Sequence, residues 1–393
     1  MKKILIPNGS FHDIPLIKEA KKMGYYVITS GAAPEQIGHS YADEYVYGDF
    51  SDKELMLKIA QEKQIDAICS NCNDFGYLTA CYIAEKMGLP GHESYENAVI
   101  LHHKDKFKKL AKKLNLFSPL AESFDSADAA KKWLVGANYP IIVKPVDLGA
   151  GQGIKRADTL EEAENAVENA FSKSRSKVIV IEPFIEGTCH SFNAFIVNQK
   201  VSSCYSDNEY MKYDKYRVST STSPATGIEN VETILIEQTE IIAEELQLTD
   251  GLVHSQYILD HDGRPHILEI TRRMSGDWYP YPEMRATGID WMSYIVKAQC
   301  GMDCSDFPQN VHQQGYTGRH CLNGNRTGVV TGVVFKEGLK QHIYDSVMWF
   351  GNGFEIKNII KDYPGIIFFE FEDHDEMMNI IDHIEDYIEL VYQ

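Results

Sequence analysis

The sequence predicts an α/β protein that opens with a parallel sheet, and three observations carry that expectation. Apolar strand-like runs alternate with helix-like runs through the first hundred residues. An apolar strand bearing Lys144 runs into a loop with glycine at 149, 151 and 153. A strand pair over residues 256–273, turning at Asp262-Gly263, delivers Glu269, Thr271 and Arg273 to one face.

The elements follow in order. KKILIPNG, YYVITS, DEYVYGD and IDAICSN read as strands. Between and after them IPLIKEAKKMG, SDKELMLKIAQEKQ, NDFGYLTACYIAEKMG and a segment near Ser94 read as helices. This is the pattern of an open parallel sheet covered on both faces. Asn8-Gly9-Ser10 follows the first strand, but GxGxxG is absent, so a dinucleotide loop is not indicated. HHKDKFKKLAKKLN is a basic helix whose Phe107, Leu110, Ala111 and Leu114 share one face. Its lysines read as solvated, with Lys106 set apart as a site candidate. Residues 139–205 read as a small strand-rich lid, and 207–226 as a polar, tyrosine-rich, substrate-facing loop. A helix, VETILIEQTEIIAEELQ, leads into the 256–273 pair. Residues 311–393 read as a small α+β domain ending in an acidic amphipathic helix. The expected domains are 1–101, 102–310 and 311–393.

Bulk properties exclude several classes. A chain of 393 residues implies roughly two to three domains. A formal net charge of −19 argues against nucleic-acid binding, which needs a basic footprint. No apolar stretch approaches the ~18 residues of a membrane helix, and MKKILIPNGS reads as a first strand rather than a signal peptide. Eight dispersed cysteines suit a reduced cytoplasm better than a disulfide scaffold. Cys69 and Cys72 form CxxC without the second pair a zinc site requires.

The chemistry-bearing residues cluster in four segments, the first of them the basic helix with Lys106. Lys144 followed by Gly149, Gly151 and Gly153 suits phosphate: glycines let backbone N–H groups approach closely, and the lysine adds a point charge. Taken alone, Lys144 is equally a strand-edge lysine. Glu182-Pro183 ends an apolar strand, because proline has no N–H for the ladder. The Pro183 carbonyl and the Ile185 N–H are then free for an adenine edge. Gln256, Glu269, Thr271 and Arg273 offer oxygen ligands and a guanidinium, a set fitted to a magnesium–phosphate site. Asp277 lies in a turn with either a substrate or a local role, and Arg217 and Arg319 are further carboxylate-binding candidates.

In this order the segments resemble the ATP-grasp superfamily, in the biotin carboxylase and carbamoyl-phosphate synthetase-like branch of carboxylate–amine ligase type. The resemblance implies a pre-ATP-grasp α/β domain, an ATP-grasp domain of two α+β subdomains with a Gly-rich lid, and a C-terminal α+β domain. It implies ATP, and Mg²⁺ (two ions, or Mn²⁺) as cofactor. Lys106 and Lys144 match its ATP lysines, and residues 149–153 its phosphate loop. Glu182, Pro183 and Ile185 match its adenine hinge. Glu269 matches its metal carboxylate, Gln256 and Thr271 further ligands, and Arg273 the residue that steadies the transferred phosphoryl. Thr271 stands where the family usually has Asn. Cys189 and His190 stand near its usual ribose-binding Glu, leaving His190 either on the ribose or packed. The implied activity joins a small-molecule carboxylate to an amine or other nucleophile through an acyl phosphate. The alternatives are a non-turnover ATP-binding regulatory protein and a carboxylase acting through carboxyphosphate. A homodimer is a family-level expectation.

Overall fold

The computed structural model describes residues 1–149, 151–228, 230–309, 311, 313–351 and 353–393. These fall into two compact units, one of residues 1–204, 227–278 and 290–310, the other of 205–226, 279–289 and 311–393.

The first unit begins with β1 (Lys3–Pro7), α1 (Ile14–Lys22), β2 (Tyr26–Gly31), β3 (Glu44–Tyr47), α2 (Lys53–Lys63), β4 (Ala67–Ile68), α3 (Asp74–Met87) and α4 (Tyr95–His102). The strands form the expected parallel sheet, in the order β3-β2-β1-β4. Leu5, Ile28 and Ile68 of the sheet are buried with Ile59 of α2 and Ile83 of α3. Asp52 caps α2 by accepting from the Glu54 and Leu55 N–H groups, and Asn73 caps α3 by accepting from Phe75.

Helix α5 (Lys104–Leu114) follows, ended by Asn115 at φ 55°. Next come β5 (Glu122–Phe124), α6 (Ala127–Leu134), β6 (Ile141–Pro145), β7 (Lys155–Ala157), α7 (Leu160–Lys173) and β8 (Ile179–Pro183). They make a separate antiparallel sheet, β5-β8-β6-β7, with its own core of alanines from α7 packed on Ile141, Val143, Ile179 and Ile181. This small sheet therefore spans Glu122 to Pro183. The strand β9 (Gly187–Val197), expected to belong with it, instead pairs antiparallel along its whole length with another strand, given below as β12.

The chain passes from the first unit to the second within β10 (Lys200–Tyr210), and β11 (Thr220–Ser223) lies in the second. Residues 207–226, expected as one irregular loop, are paired strand at 207–210 and 220–223 with a turn between them. TSTS lacks apolar alternation, but its hydroxyls find buried partners: Thr220 with His320 Nδ1 at 2.7 Å and Thr222 with Asn208 at 3.0 Å. Helix α8 (Val231–Glu245), β12 (Gly251–Asp260) and β13 (Pro265–Thr271) return to the first unit. The β12–β13 pair is the expected one, with a bulge between Gln256 and Tyr257. Its apolar face shares a core with Phe107 and Leu110 of α5 and Leu235 of α8.

The remaining elements are α9 (Tyr281–Thr287), α10 (Trp291–Gln299), β14 (Tyr316–Cys321), β15 (Gly328–Phe335), β16 (Ile343–Met348), β17 (Phe354–Ile356), β18 (Gly365–Phe371), α11 (His374–Ile381) and β19 (Ile388–Tyr392). In the second unit β11-β14-β18-β16 are successive neighbours, and β17-β15-β19 form a small sheet. The acidic helix expected to finish the chain is α11, but IELVY beyond it alternates as a strand and pairs with β15.

Candidate active site

The first unit gathers most of the expected site residues, around the face of α5 that carries Lys104 and Lys108. These lysines are one helical turn apart and both buried. Lys104 Nζ lies 2.8 Å from Glu269 Oε2 and donates to the Leu148 carbonyl oxygen at 3.0 Å. Lys108 Nζ lies 3.1 Å from Glu182 Oε2. The other Glu182 oxygen accepts from Lys144 of β6. Ile142 of β6 is the register partner of Glu182, which brings the neighbouring Lys144 to this strand end. Lys106, expected at the phosphates, is exposed. Two residues is about 200° of helix, so Lys106 turns away from the side that Lys104 and Lys108 share. The basic sequence masked this: six of the eleven α5 residues are lysine, and only the register of the apolar stripe tells them apart.

The electrostatics are those of a packed counter-ion network. Burial would raise the Glu269 carboxyl, but the Lys104 ammonium outweighs it and holds Glu269 below its usual range. Burial would likewise raise Glu182, but Lys108 and Lys144 together hold it down. Lys104 is lifted by Glu269 against a burial that would lower it. Lys108 goes the other way: burial, with Lys144 adding to it, brings it down to about 8 despite Glu182.

Arg273 is fixed by a residue that sequence reading did not single out. Its Nε donates to Asp74 Oδ1 at 2.8 Å, and Nη1 donates to the Met274 carbonyl oxygen at 3.3 Å. Asp74 sits in the first turn of α3 and also faces His102 Nδ1 at 3.3 Å. Burial would raise Asp74, but Arg273, His102 and Lys104 hold it far below the usual carboxylate range. The only signal in the sequence was the Asn73 cap, which places an acidic first-turn residue at a helix start. A Cβ built on Gly149 would come 3.1 Å from Asp74 Oδ2, so the glycine loop runs close against this carboxylate. Gly153 is held at φ +80°, where a Cβ would also lie 2.7 Å from Pro145. Gly151 is likewise at positive φ, and Ala150 lies outside the described residues.

The donors fit a magnesium ion. Gln256 and Glu269 are direct register partners across β12–β13. The Thr271 Oγ1 is buried without a hydrogen-bond partner, a polar atom awaiting one. Among the described residues no group of three or more His, Cys, Asp or Glu side chains is placed to hold a metal. One carboxylate with an amide and a hydroxyl is an oxygen set that suits Mg²⁺ shared with phosphate oxygens, rather than an all-protein cage.

The other candidates are placed as follows. Pro183 is exposed at the end of β8 and Ile185 is half-buried two residues on. His190 is buried in β9, its ring stacked on Tyr257 at 5.2 Å and its Nε2 at 2.6 Å from Thr188 Oγ1. Asp277 and Trp278 have φ of 61° and 54°, two successive left-handed non-glycine residues. The Asp277 N–H donates to His12 Nδ1 at 2.8 Å and Trp278 Nε1 to the Phe11 carbonyl oxygen at 2.9 Å. Arg217 and Arg319 belong to the second unit. Arg217 donates to the Ile360 carbonyl oxygen at 2.8 Å and lines a small pocket with Tyr213 and Tyr363. Arg319 is buried, with its guanidinium 4.6 Å from the Tyr279 ring centre.

Residues 102–277 match the family model described as phosphoribosylglycinamide synthetase, ATP-grasp (A) domain. The carbamoyl phosphate synthase large chain of Thermoanaerobacter sp. (strain X514) is 26% identical over 244 residues, which cover 58% of this chain. The chain spans only 21% of that relative's length. Among solved structures, phosphoribosylglycinamide synthetase from Anaerococcus prevotii superposes with a TM-score of 0.77 at 21% identity, over 100% of both chains. L-amino acid ligase from Bacillus licheniformis gives 0.83 at 19%, over 100% of this chain and 99% of that one. The biotin carboxylase domain of Hydrogenobacter thermophilus 2-oxoglutarate carboxylase, in complex with MgADP, ADP and bicarbonate, gives 0.81 at 16%, over 100% and 91%. Residues 102–277 are thus similar to an ATP-grasp domain.

Proposed function

We propose that this protein is an ATP-dependent ligase that joins a carboxylate to an amine or other nucleophile through an acyl phosphate. The observation that carries the reading is the double ion-pair set on α5, Lys104 with Glu269 and Lys108 with Glu182 and Lys144. It places buried cations beside the Glu269 strand and beside the strand that carries the glycine loop. Such cations have a use where a polyphosphate enters and exchanges with the carboxylates.

In the proposed reaction a substrate carboxylate oxygen attacks the γ-phosphorus of ATP, and the bond from that phosphorus to the bridging oxygen breaks to release ADP. The second nucleophile then attacks the acyl carbon. The bond from that carbon to the phosphate oxygen breaks, an amine loses a proton, and phosphate leaves. Lys104, in place of Lys106, and Lys144 would bind the phosphates, and backbone N–H groups of residues 149–153 would close on them. Glu182, the Pro183 carbonyl and the Ile185 N–H would take the adenine edge. Arg273, aimed by Asp74, would steady the oxygens of the transferred phosphoryl. Glu269, Gln256 and Thr271 would hold Mg²⁺, which supplies charge neutralisation when bound. Positioning and charge then account for the barrier lowering without a covalent protein nucleophile.

Among the described residues no helix is long and apolar enough to cross a membrane. Among the described residues no cysteine forms a disulfide, which suits a reducing cytoplasm. Specificity for the two small molecules would rest on the Asp277 turn. The test is ADP release across a panel of carboxylates paired with amines. A substrate pair that drives ADP release and yields the coupled product supports the ligase. Tight Mg-ATP binding with no turnover across the panel overturns it.

A further inference from the structure

Lys108 is not needed for any step above, yet it is among the most enclosed charges in the protein, with a side chain 3% exposed. Its ammonium meets three acceptors: Glu182 Oε2 at 3.1 Å, Ser118 Oγ at 2.9 Å and the Ile267 carbonyl oxygen at 3.4 Å. These belong to β8, to the segment after α5 and to β13. Ser118 Oγ itself donates to the Ile267 oxygen at 2.8 Å, which fixes the cradle. An ammonium has three hydrogens, so Lys108 has no donor left for a ligand. Lys144 shares the same Glu182 but would have to turn to the phosphates when ATP enters. Without a second cation, that move would strand a carboxylate that is 1% exposed.

Resting on the ligase reading, we propose that Lys108 is the resident counter-ion of Glu182, which lets Lys144 exchange from that carboxylate to the phosphates of ATP. Lys108 touches no reacting atom and is a positioning residue. The charged groups facing it are Glu182 on β8, Lys144 on β6 and Glu269 on β13, with Lys104 one turn away on its own helix. If Lys108 is absent, Lys144 must stay with Glu182, and the nucleotide loses its lysine without Lys144 being altered.

The experiment is calorimetric binding of Mg-ATP and of adenosine to the full chain at pH 7, for wild type, K108M, K144M, the double variant and K108R. K108M should weaken Mg-ATP about ten- to a hundredfold, the effect of losing one charged hydrogen bond. Adenosine should weaken far less, the double variant should be no worse than K144M alone, and K108R should restore most of the affinity. Multiplying losses in the double variant, or equal losses for adenosine and Mg-ATP, make Lys108 merely structural and overturn the proposal. If K108M does not fold, wild type and K108R are compared at pH 7 and 9.5. Wild-type Mg-ATP affinity should drop as Lys108 loses its proton above about 8, while K108R, still charged, should hold. Parallel behaviour of the two overturns the proposal. A wild-type chain that binds no Mg-ATP at all overturns the ligase reading itself, a distinct result.

Discussion

At the scale of single residues, the lysines of α5 show how finely a helix distributes chemistry. Lys104→Met should weaken Mg-ATP binding on the order of tenfold or more, because it removes a charged contact from the phosphates. Lys106→Ala should leave affinity within about twofold, as expected of an exposed residue without structural duties. Titration of both variants with Mg-ATP checks the pair, and the opposite ranking would return the role to Lys106. The distinction was legible in the sequence. Phe107 and Ala111 mark the buried side, and Lys104 and Lys108 each stand three residues before one of them. Asp74 was not legible, because its partner Arg273 is 199 positions away and only the fold brings them together. Glu269→Gln should lower ADP release at least about a hundredfold, as expected for losing an electrostatic group at the reacting centre. Full activity of that variant with true substrates would remove Glu269 from the site. Thr271 is a subtler test: Thr271→Val keeps the shape and deletes the unpartnered hydroxyl. It should raise the magnesium concentration needed for half-maximal turnover while leaving thermal stability nearly unchanged.

At the scale of elements, the glycine loop and the strand pair it serves were both read correctly as strand and turn, since their signals are local. The loop is constrained at Gly153, where both φ and the nearness of Pro145 oppose a side chain. Gly153→Val should cost about 1–3 kcal/mol or force the loop to move. A raised KM for ATP with a lesser change in thermal midpoint would place the cost in the loop. A large fall in stability with unchanged KM would place it in the core of the small sheet. Two elements were misread for one reason. β11 carries serines and threonines where strand signals call for alternating apolar residues, and the short alternating run of β19 follows closely on an acidic helix. Their pairing is secured by partners distant in sequence, among them His320 and β15, which no window of local sequence contains.

For the whole molecule, acid sensitivity follows from a histidine in the second unit. His320 is fully buried, and burial, aided by the adjacent Arg319 charge, brings it down to about 3. The unfolded chain would take up a proton near 6.5 that the folded one refuses. Stability is therefore unaffected above pH 6.5 and falls as pH drops from there toward 3, by about 1.4 kcal/mol per pH unit from this group. Thermal melts from pH 7 to 4 should show a shallower decline in His320→Gln than in wild type. Equal slopes would locate the acid sensitivity elsewhere.

The route of the chain between its two units has a consequence for how the protein is made. The first unit draws on residues 1–204, 227–278 and 290–310, and the second takes the segments between these and the stretch after them. Neither can be cut out as one continuous fragment. During synthesis the first unit stays unfinished until residue 310 has left the ribosome. The strands holding Lys144 and Glu182 emerge long before the one holding Glu269. A nascent chain therefore carries Lys104 without Glu269, and Asp74 without Arg273, for the time it takes to add more than about 150 residues. Stalled chains ending near residue 250 should be open to protease across 102–204, and those extended past 310 should be resistant.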